Sequence, residues 1–498
     1  LFAYDNSLSG AAGSITVLSS GAAGAPLSAG GNLRLMAASI DQGGTLRAPL
    51  GSITLGWDGS GAAPANAVTG AASALPATAN LVLGAASMTS VSADGLTIPF
   101  GLTPNGLSWI DPRGVDVTAG GLPQRSVTLS AGNVVTASGS VVDVSGGGDL
   151  LAYRWVPGIG GSSDLLGVAD QSWSSGSDYN AGDLVSYGGS TWSARVDIDP
   201  ADYAIAPAPE EGLFWFKVPD SFAVLPGVGD RVAALSSFNT GINSGALGGD
   251  PGYVASGLRV GEQVYLAGIP GLASGYHTLL PRRCALLPGA FLVTPEEGKL
   301  TGSGTVISSK DPSLNRGDFL TPELVRMEDG SYLANGWSRN GLNPAAAVHS
   351  VQTRFEVLPR EVMAGRAQYD IYGANQFLAA AARRLDLSSV QRLPQDSARL
   401  SIHGNTGLDL AGTVSARSTS AAGRAAEIDL SSLAAMTITG PGGAAPALGS
   451  VALSAGTLNS WGYGSLLVGG QRSETSDGVA VSARSPDVTL GAPGTALT

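Results

Sequence analysis

Short apolar–polar alternations, each closed by Gly, Ser, Asn or Asp, narrow what this chain can fold into more than any other feature. They are clearest in residues 126–150, SVTLSAGNVVTASGSVVDVSGGGDL, where Val127 and Leu129, then Val142 and Val144, alternate with small polar residues. Alternation places every second side chain on one face of a strand, and the closing residues tolerate the bends between strands. The unit is strand, corner, strand. It recurs in GSITVLSS, GNLRLMAAS and GSITLGWDGS, which start at Gly13, Gly31 and Gly51, 18 and then 20 residues apart. A loose period of that size indicates stacked repeats, and the expectation is an all-β chain folded as a parallel β-helix, a solenoid with each coil bonded to the next at about 4.8 Å.

Side-chain size agrees with thin stacked layers. Charged residues make up 13% of the chain, where about 25% is usual for a soluble domain, and Gly alone accounts for 72 of 498 residues. The net charge of -12 argues against a nucleic-acid partner. One cysteine, Cys284, excludes a disulfide within the chain; Arg282 and Arg283 beside it would favour a thiolate, while a half-buried position would leave it inert. No apolar run approaches the roughly 20 residues that span a bilayer. The start at LFAYDNS, without Met or signal peptide, and the end in mid-pattern are what a piece of a longer protein would show.

Four regions are expected: β-helix coils over 1–161, a compact insertion over 162–220, an irregular β region over 221–398 packed on or continuing the solenoid, and coils again over 399–498. Residues 60–80 read as a loop leaving the stack, and Trp109, Asp111, Pro112 and Arg113 as a bend. The insertion concentrates Trp173, Tyr179, Tyr187, Trp192, Tyr203, Phe214, Trp215 and Phe216, large side chains that a small module needs for a core. In the third region FAVLPG, CALLPGAFLVTP and FEVLPREV end in Leu-Pro, which suggests extended edges or rims. Residues 236–257 and 296–318 read as polar loops, and GANQFLAAAARRLDL (373–387) as the only helix. From Arg399 the alternation is expected to hold to the end of the chain.

GSVVDVSGGGDLLAYRWVPG from Gly139, GEQVYLAGIPGLASGYHTLLPRRCALLPGAFLVTP (261–295) and the terminal alternations together resemble the C-terminal part of filamentous-haemagglutinin-like exoproteins. The resemblance covers most of the chain. It implies a right-handed parallel β-helix, export by two-partner secretion through an outer-membrane secretion partner, and a place on the Gram-negative cell surface or in the extracellular medium.

The insertion resembles the small chitin-binding domain of bacterial chitinases through the pattern W-x5-Y-x-x-G-D-x-V-x-Y-x-G-x-x-W-x-A, here Trp173, Tyr179, Gly182, Asp183, Val185, Tyr187, Gly189, Trp192 and Ala194. That implies a carbohydrate-binding face, with Trp173, Tyr179, Tyr187, Trp192, Tyr203 and Trp215 as the candidate sugar-binding residues. The sequence departs from the family after Ala194. Sugar-binding members carry an exposed aromatic pair there, whereas this chain has Arg195, Val196 and Asp197.

Catalytic signals are sparse. Asp143 and Asp149 flank a Gly-rich corner and read as turn residues, and Asp183 as an acceptor of backbone N–H bonds before a strand. His277, His349 and His403 stand alone, with no ligand spacing for a metal. No cofactor motif is present, so no catalytic residue, metal or cofactor is assigned. The expected function is non-catalytic: a stiff extracellular filament or adhesin segment displaying a glycan-binding module to a glycan or cell-surface receptor. Two alternatives are a structural subunit that self-associates through its solenoid ends, and a glycan-degrading β-helix enzyme.

Overall fold

The computed structural model describes residues 13–19, 24–65, 76–158, 164–167, 169, 171–188, 190–203, 206–210, 212–218, 220–228, 258, 260–295, 299–300, 306–307, 324–339, 353–387, 391–440, 450–475, 478–491 and 496–497. The loops expected over 236–257 and most of 296–318 lie outside these residues. The chain is predominantly β, with parallel sheets. It divides into two compact units: the first takes 2–103, 107–152 and 372–498, and the second takes residue 1, 104–106 and 153–371. Residues 162–220 and 221–371 therefore share a unit.

In the first unit, alternating strands pile up in three parallel columns. Column one runs Asn32–Leu35, Ser52–Leu55, the first half of Ser126–Thr136, the first half of Arg399–Leu410, Glu427–Ser431 and Ser465–Val468. Column two runs Ser14–Val17, Ser39–Gln42, Asn80–Leu83 and the second halves of the same two long strands. Column three runs Thr45–Arg47, Met88–Ser90, Val141–Asp143 and Thr413–Ser415. The chain visits columns one, two and three in that order four times. Among the described residues this circuit does not trace a closed coil.

Register explains the burial. In column one, Leu33, Ile53, Val127, Leu400, Ile428 and Leu466 form one inward row, and Leu35, Leu55, Leu129, Ile402, Leu430 and Val468 the next. The middle members of both rows are buried, and each such side chain stabilises by about 1.5–3 kcal/mol. Gln42 enters a column-two row between Val17 and Leu83. Its amide is satisfied there: Nε2 donates to the Gly44 and Met88 carbonyls at 2.9 and 3.1 Å, and Oε1 accepts from the Gly44 N–H at 3.0 Å. Arg399–Leu410 lies directly on Ser126–Thr136, Arg399 opposite Ser126, so the ladder continues across the whole intervening segment.

A second core sits beside the columns. Helix Ala374–Arg384 buries Ala374, Phe377, Leu378, Ala381 and Ala382, and Phe377 meets Trp109 edge-on at 5.3 Å. The bend after Trp109 forms as expected, with Asp111 Oδ1 accepting from the Arg113 and Val115 N–H groups at 2.8 and 3.1 Å.

Three expectations are corrected. The alternation does not remain a parallel ladder to the end: Gly470–Thr475 and Gly478–Ala483 form an antiparallel hairpin, although Val488–Gly491 returns to parallel pairing with Met436–Thr439. The Leu-Pro segments are not rims. Phe222–Val224, Phe291–Pro295 and Thr353–Pro359 are adjacent inner strands of an eight-stranded antiparallel sheet in the second unit. Phe222, Val224, Phe291, Val293, Phe355 and Val357 enter one core, and Ala223, Leu292 and Leu358 on the opposite face are buried as well, so both faces of these strands are covered and the region is more regular than expected. Nor is 373–387 the only helix. Pro359 opens helix Arg360–Arg366, since a proline costs nothing before the first turn, and Ser454 caps Ala455–Ser460 through the Thr457 N–H.

Candidate functional site

The second unit contains a four-stranded sheet ordered Gln171–Ser172, Leu184–Tyr187, Ser190–Ala194, Trp215–Val218. Its core is small and aromatic: Tyr179, Val185, Ala194, Ile198, Ala206 and Trp215. Tyr179 and Trp215 meet edge-on at 5.2 Å. The Tyr179 hydroxyl donates to the Ser174 carbonyl at 2.9 Å and accepts from the Ser174 N–H at 2.6 Å. Trp215 Nε1 donates to the Pro207 carbonyl at 2.8 Å. Both rings are buried, so their faces meet the module's own interior rather than solvent.

The remaining four candidates fall in two places. Trp173, Tyr187 and Trp192 come together: Trp173 and Tyr187 meet edge-on at 5.1 Å, and Trp192 Nε1 donates to the Tyr187 carbonyl at 3.2 Å. Trp173 and Trp192 are half-buried against the core, while Tyr187 is 41% exposed. Trp173 Nε1 is buried and has no hydrogen-bond partner among the described residues. Tyr203 is 44% exposed and packs on Phe214 at 5.1 Å instead. Beside Phe214, already counted among the insertion's aromatics, the 75% exposed Leu213 is the residue that sequence reasoning did not single out; its signal was the unbroken LFWF run.

The Gly-Asp pair is structural. Gly182 adopts φ +96°, a left-handed conformation that favours glycine, and Asp183 Oδ2 accepts from the Asn180 N–H at 2.8 Å. The residues that follow Ala194 are also engaged. Arg195 lies over the Phe216 ring at 5.2 Å and donates through Nε to the Trp215 carbonyl, and Asp197 Oδ1 accepts from the Ala181 N–H at 2.8 Å.

A cavity of about 60 Å³ lies between the module strand Trp215–Val218 and the antiparallel sheet, floored by Leu165, Leu292 and Leu358 with Asp164, Glu356 and Arg366 at its polar side. Glu356 is held by Arg366 at 2.8 Å, which also pairs with Asp329. Burial pushes the Asp164 carboxyl up, against a hydrogen bond from the Tyr369 hydroxyl at 2.7 Å. Each carboxylate therefore already has a partner.

Elsewhere, Asp143 accepts from Ser145 and from the Ser90 hydroxyl, the turn role expected of it. Asp149 does something the sequence reading missed: its Oδ1 accepts from the Asn375 N–H at 3.0 Å, at the start of helix Ala374–Arg384. Cys284 is buried, and its thiol is pushed up to about 11. His277 bonds the Ala273 carbonyl at 2.9 Å, and His349 lies outside the described residues. Among the described residues no cluster of three or more His, Cys, Asp or Glu side chains could hold a metal, and no helix is long and apolar enough to cross a membrane. No protein-family model, curated protein or solved structure matches this chain.

Proposed function

We propose that this chain is a non-catalytic segment of an extracellular, filamentous-haemagglutinin-like protein, in which the three columns are the faces of a right-handed parallel β-helix. The fourfold return to columns one, two and three in one order supports the coil. Right-handed connection is the rule for parallel strands joined by a crossover. Such a stem is stiff because its backbone hydrogen bonds run along its axis. It presents an inserted module whose ligand is a glycan.

One observation carries the binding half of this reading: Tyr187 is 41% exposed, its ring is braced edge-on by Trp173, and its backbone carbonyl is held by Trp192 Nε1. A planar apolar surface with a fixed orientation is what the flat face of a pyranose ring stacks on, and a braced ring loses little freedom on binding. The whole chain should be retained on insoluble chitin, and Tyr187→Ala should weaken retention by about tenfold, equivalent to ~1.4 kcal/mol. Absence of retention, or equal retention by the variant, would overturn glycan binding through this ring.

A further inference from the structure

Column one has an outward face that should be wet and is not. Side chains alternate along its strands, so Ser401, His403, Asp429 and Ser431 point away from the inward rows, yet all four are buried, His403 to 3% exposure. The outward Ser52 and Thr54 on the same column are only half-buried. The difference lies in what covers the upper strands. The hairpin Gly470–Thr475 and Gly478–Ala483 is held there by charge: Arg472 Nη1 pairs with Asp429 at 2.6 Å, Glu474 with Arg399 Nη2 at 3.3 Å, and Arg484, just past the hairpin, with Asp58 Oδ2 at 2.6 Å. At its base the Arg484 and Ser485 N–H groups donate to the Gly469 carbonyl at 2.8 and 2.9 Å, and the Ser485 hydroxyl donates to the Ser432 carbonyl at 2.7 Å.

Beneath this strap His403 is flanked in register by Ser130 and Ser431. Its Nδ1 lies 2.7 Å from Ser431 Oγ, and its Nε2 is buried with no partner among the described residues. The charged groups acting on the ring are Arg484 and Asp58, the two halves of one latch. We propose that the hairpin is a proton-released strap: taking up a proton at His403 places a second cation beside Arg484 in a buried site with one carboxylate, and the Asp58–Arg484 latch opens to let water reach the imidazolium.

The electrostatics point the same way. Burial, reinforced by the Arg484 charge, holds the imidazole down at about 4, with Asp58 pulling weakly in the opposite direction. Burial also raises the Asp58 carboxyl, but hydrogen bonds from Ser60 and from Arg484 outweigh it and the net direction is down, so Asp58 keeps its charge as His403 titrates. A histidine with a depressed folded value stabilises the closed form above the open-form value of about 6.5. That stabilisation is lost as the pH falls from there towards 4, because the open form binds the proton more readily. Release would uncover the hydroxyls of Ser130 and Ser431 on either side of His403, and that of Ser401 in the next row, on the side of the stack.

Hydrogen exchange measured on the whole chain across pH 7.5 to 4.5, corrected for intrinsic amide rates, tests this. Amides of residues 470–484 should lose protection by about tenfold per pH unit below 6.5, while residues 126–136 keep theirs. His403→Gln should hold the strap's protection constant over the same range. Arg484→Gln should lose it already at pH 7.5 with the stack intact. Constant protection in the parent, an equally steep loss in His403→Gln, or full protection in Arg484→Gln would each overturn the proposal.

Discussion

The parallel stack and the inserted module bury apolar surface with opposite means. In the stack's main core Trp461 is the only aromatic among the described buried residues, beside 28 Ile, Leu, Val and Ala side chains, and along column one the aliphatic residues lie in register with one another from rung to rung. The module has two large rings in a buried core of six residues. Repetition spreads stability over equivalent contacts, whereas a small layer must concentrate it. The stack should therefore tolerate change at a single rung, whereas the module's shape depends on two rings at its centre.

The sharpest way to break this contrast is at Trp215, buried against Tyr179 and bonded to Pro207. Trp215→Ala should cost about 3–5 kcal/mol, enough to unfold the module. Limited proteolysis should then cut within residues 171–218 under conditions that the parent resists, while residues 126–136 and 399–410 stay protected. Concerted loss of both regions would show that the module's core is not energetically separate from the stack.

A smaller effect probes how closely neighbouring rungs approach. At Gly51 an added Cβ would lie 2.1 Å from the Gly31 carbonyl oxygen and 2.7 Å from the Gly31 nitrogen, where the Ser52 N–H already bonds that same oxygen at 2.8 Å. Backbone cannot yield as a flexible side chain does. Gly51→Ala should therefore cost about 1–3 kcal/mol in chemical denaturation. Gly176→Ala in the module meets nothing within 4 Å and should change stability by less than about 0.5 kcal/mol. Equal effects would deny that the stack's corners depend on glycine.

Alternation made the columns legible because it states directly which side chains share a face, and Val127, Leu129, Leu400 and Ile402 are buried as that rule requires. The rule is silent on strand direction. Residues 478–483 alternate as well as any rung, yet they fold back antiparallel and lie outside column one, a choice made by Asp429, Arg399 and Asp58 from distant parts of the chain. It is equally silent at strand ends: Val185 and Tyr187 share one parity, but Val185 is buried and Tyr187 is exposed beside the Gly188 turn. The aromatic motif therefore named the module's rings without separating the core pair, Tyr179 and Trp215, from the rim.

Asp149 is the case in which local reading reached furthest and fell short, and it offers the mildest test. It sits at a Gly-rich corner, as a turn residue would, but the N–H groups it accepts from include Asn375, 226 residues away, and no local pattern encodes such a partner. The helix it caps has Gly373 at its own cap position, which supplies no side-chain acceptor. A Cβ at Gly373 would come within 2.5 Å of Asp149 Oδ2, so the glycine is what lets the remote carboxylate approach. Asp149→Ala should cost about 1 kcal/mol, within the usual range of 0.5–2 for a lost cap. Burial raises the Asp149 carboxyl, and the N–H bonds from Asn375, Leu150 and Ala374 offset only part of it, so the net direction is up. A carboxyl raised on folding contributes stability that is fully present below its unfolded value near 3.8 and is lost as the pH rises through the folded value. Asp149→Asn keeps an acceptor without a buried charge. It should equal or exceed the parent in stability at pH 7, and that advantage should shrink as the pH approaches 3.8. A loss at pH 7 as large as that of the alanine variant would show that the cap needs the charge itself.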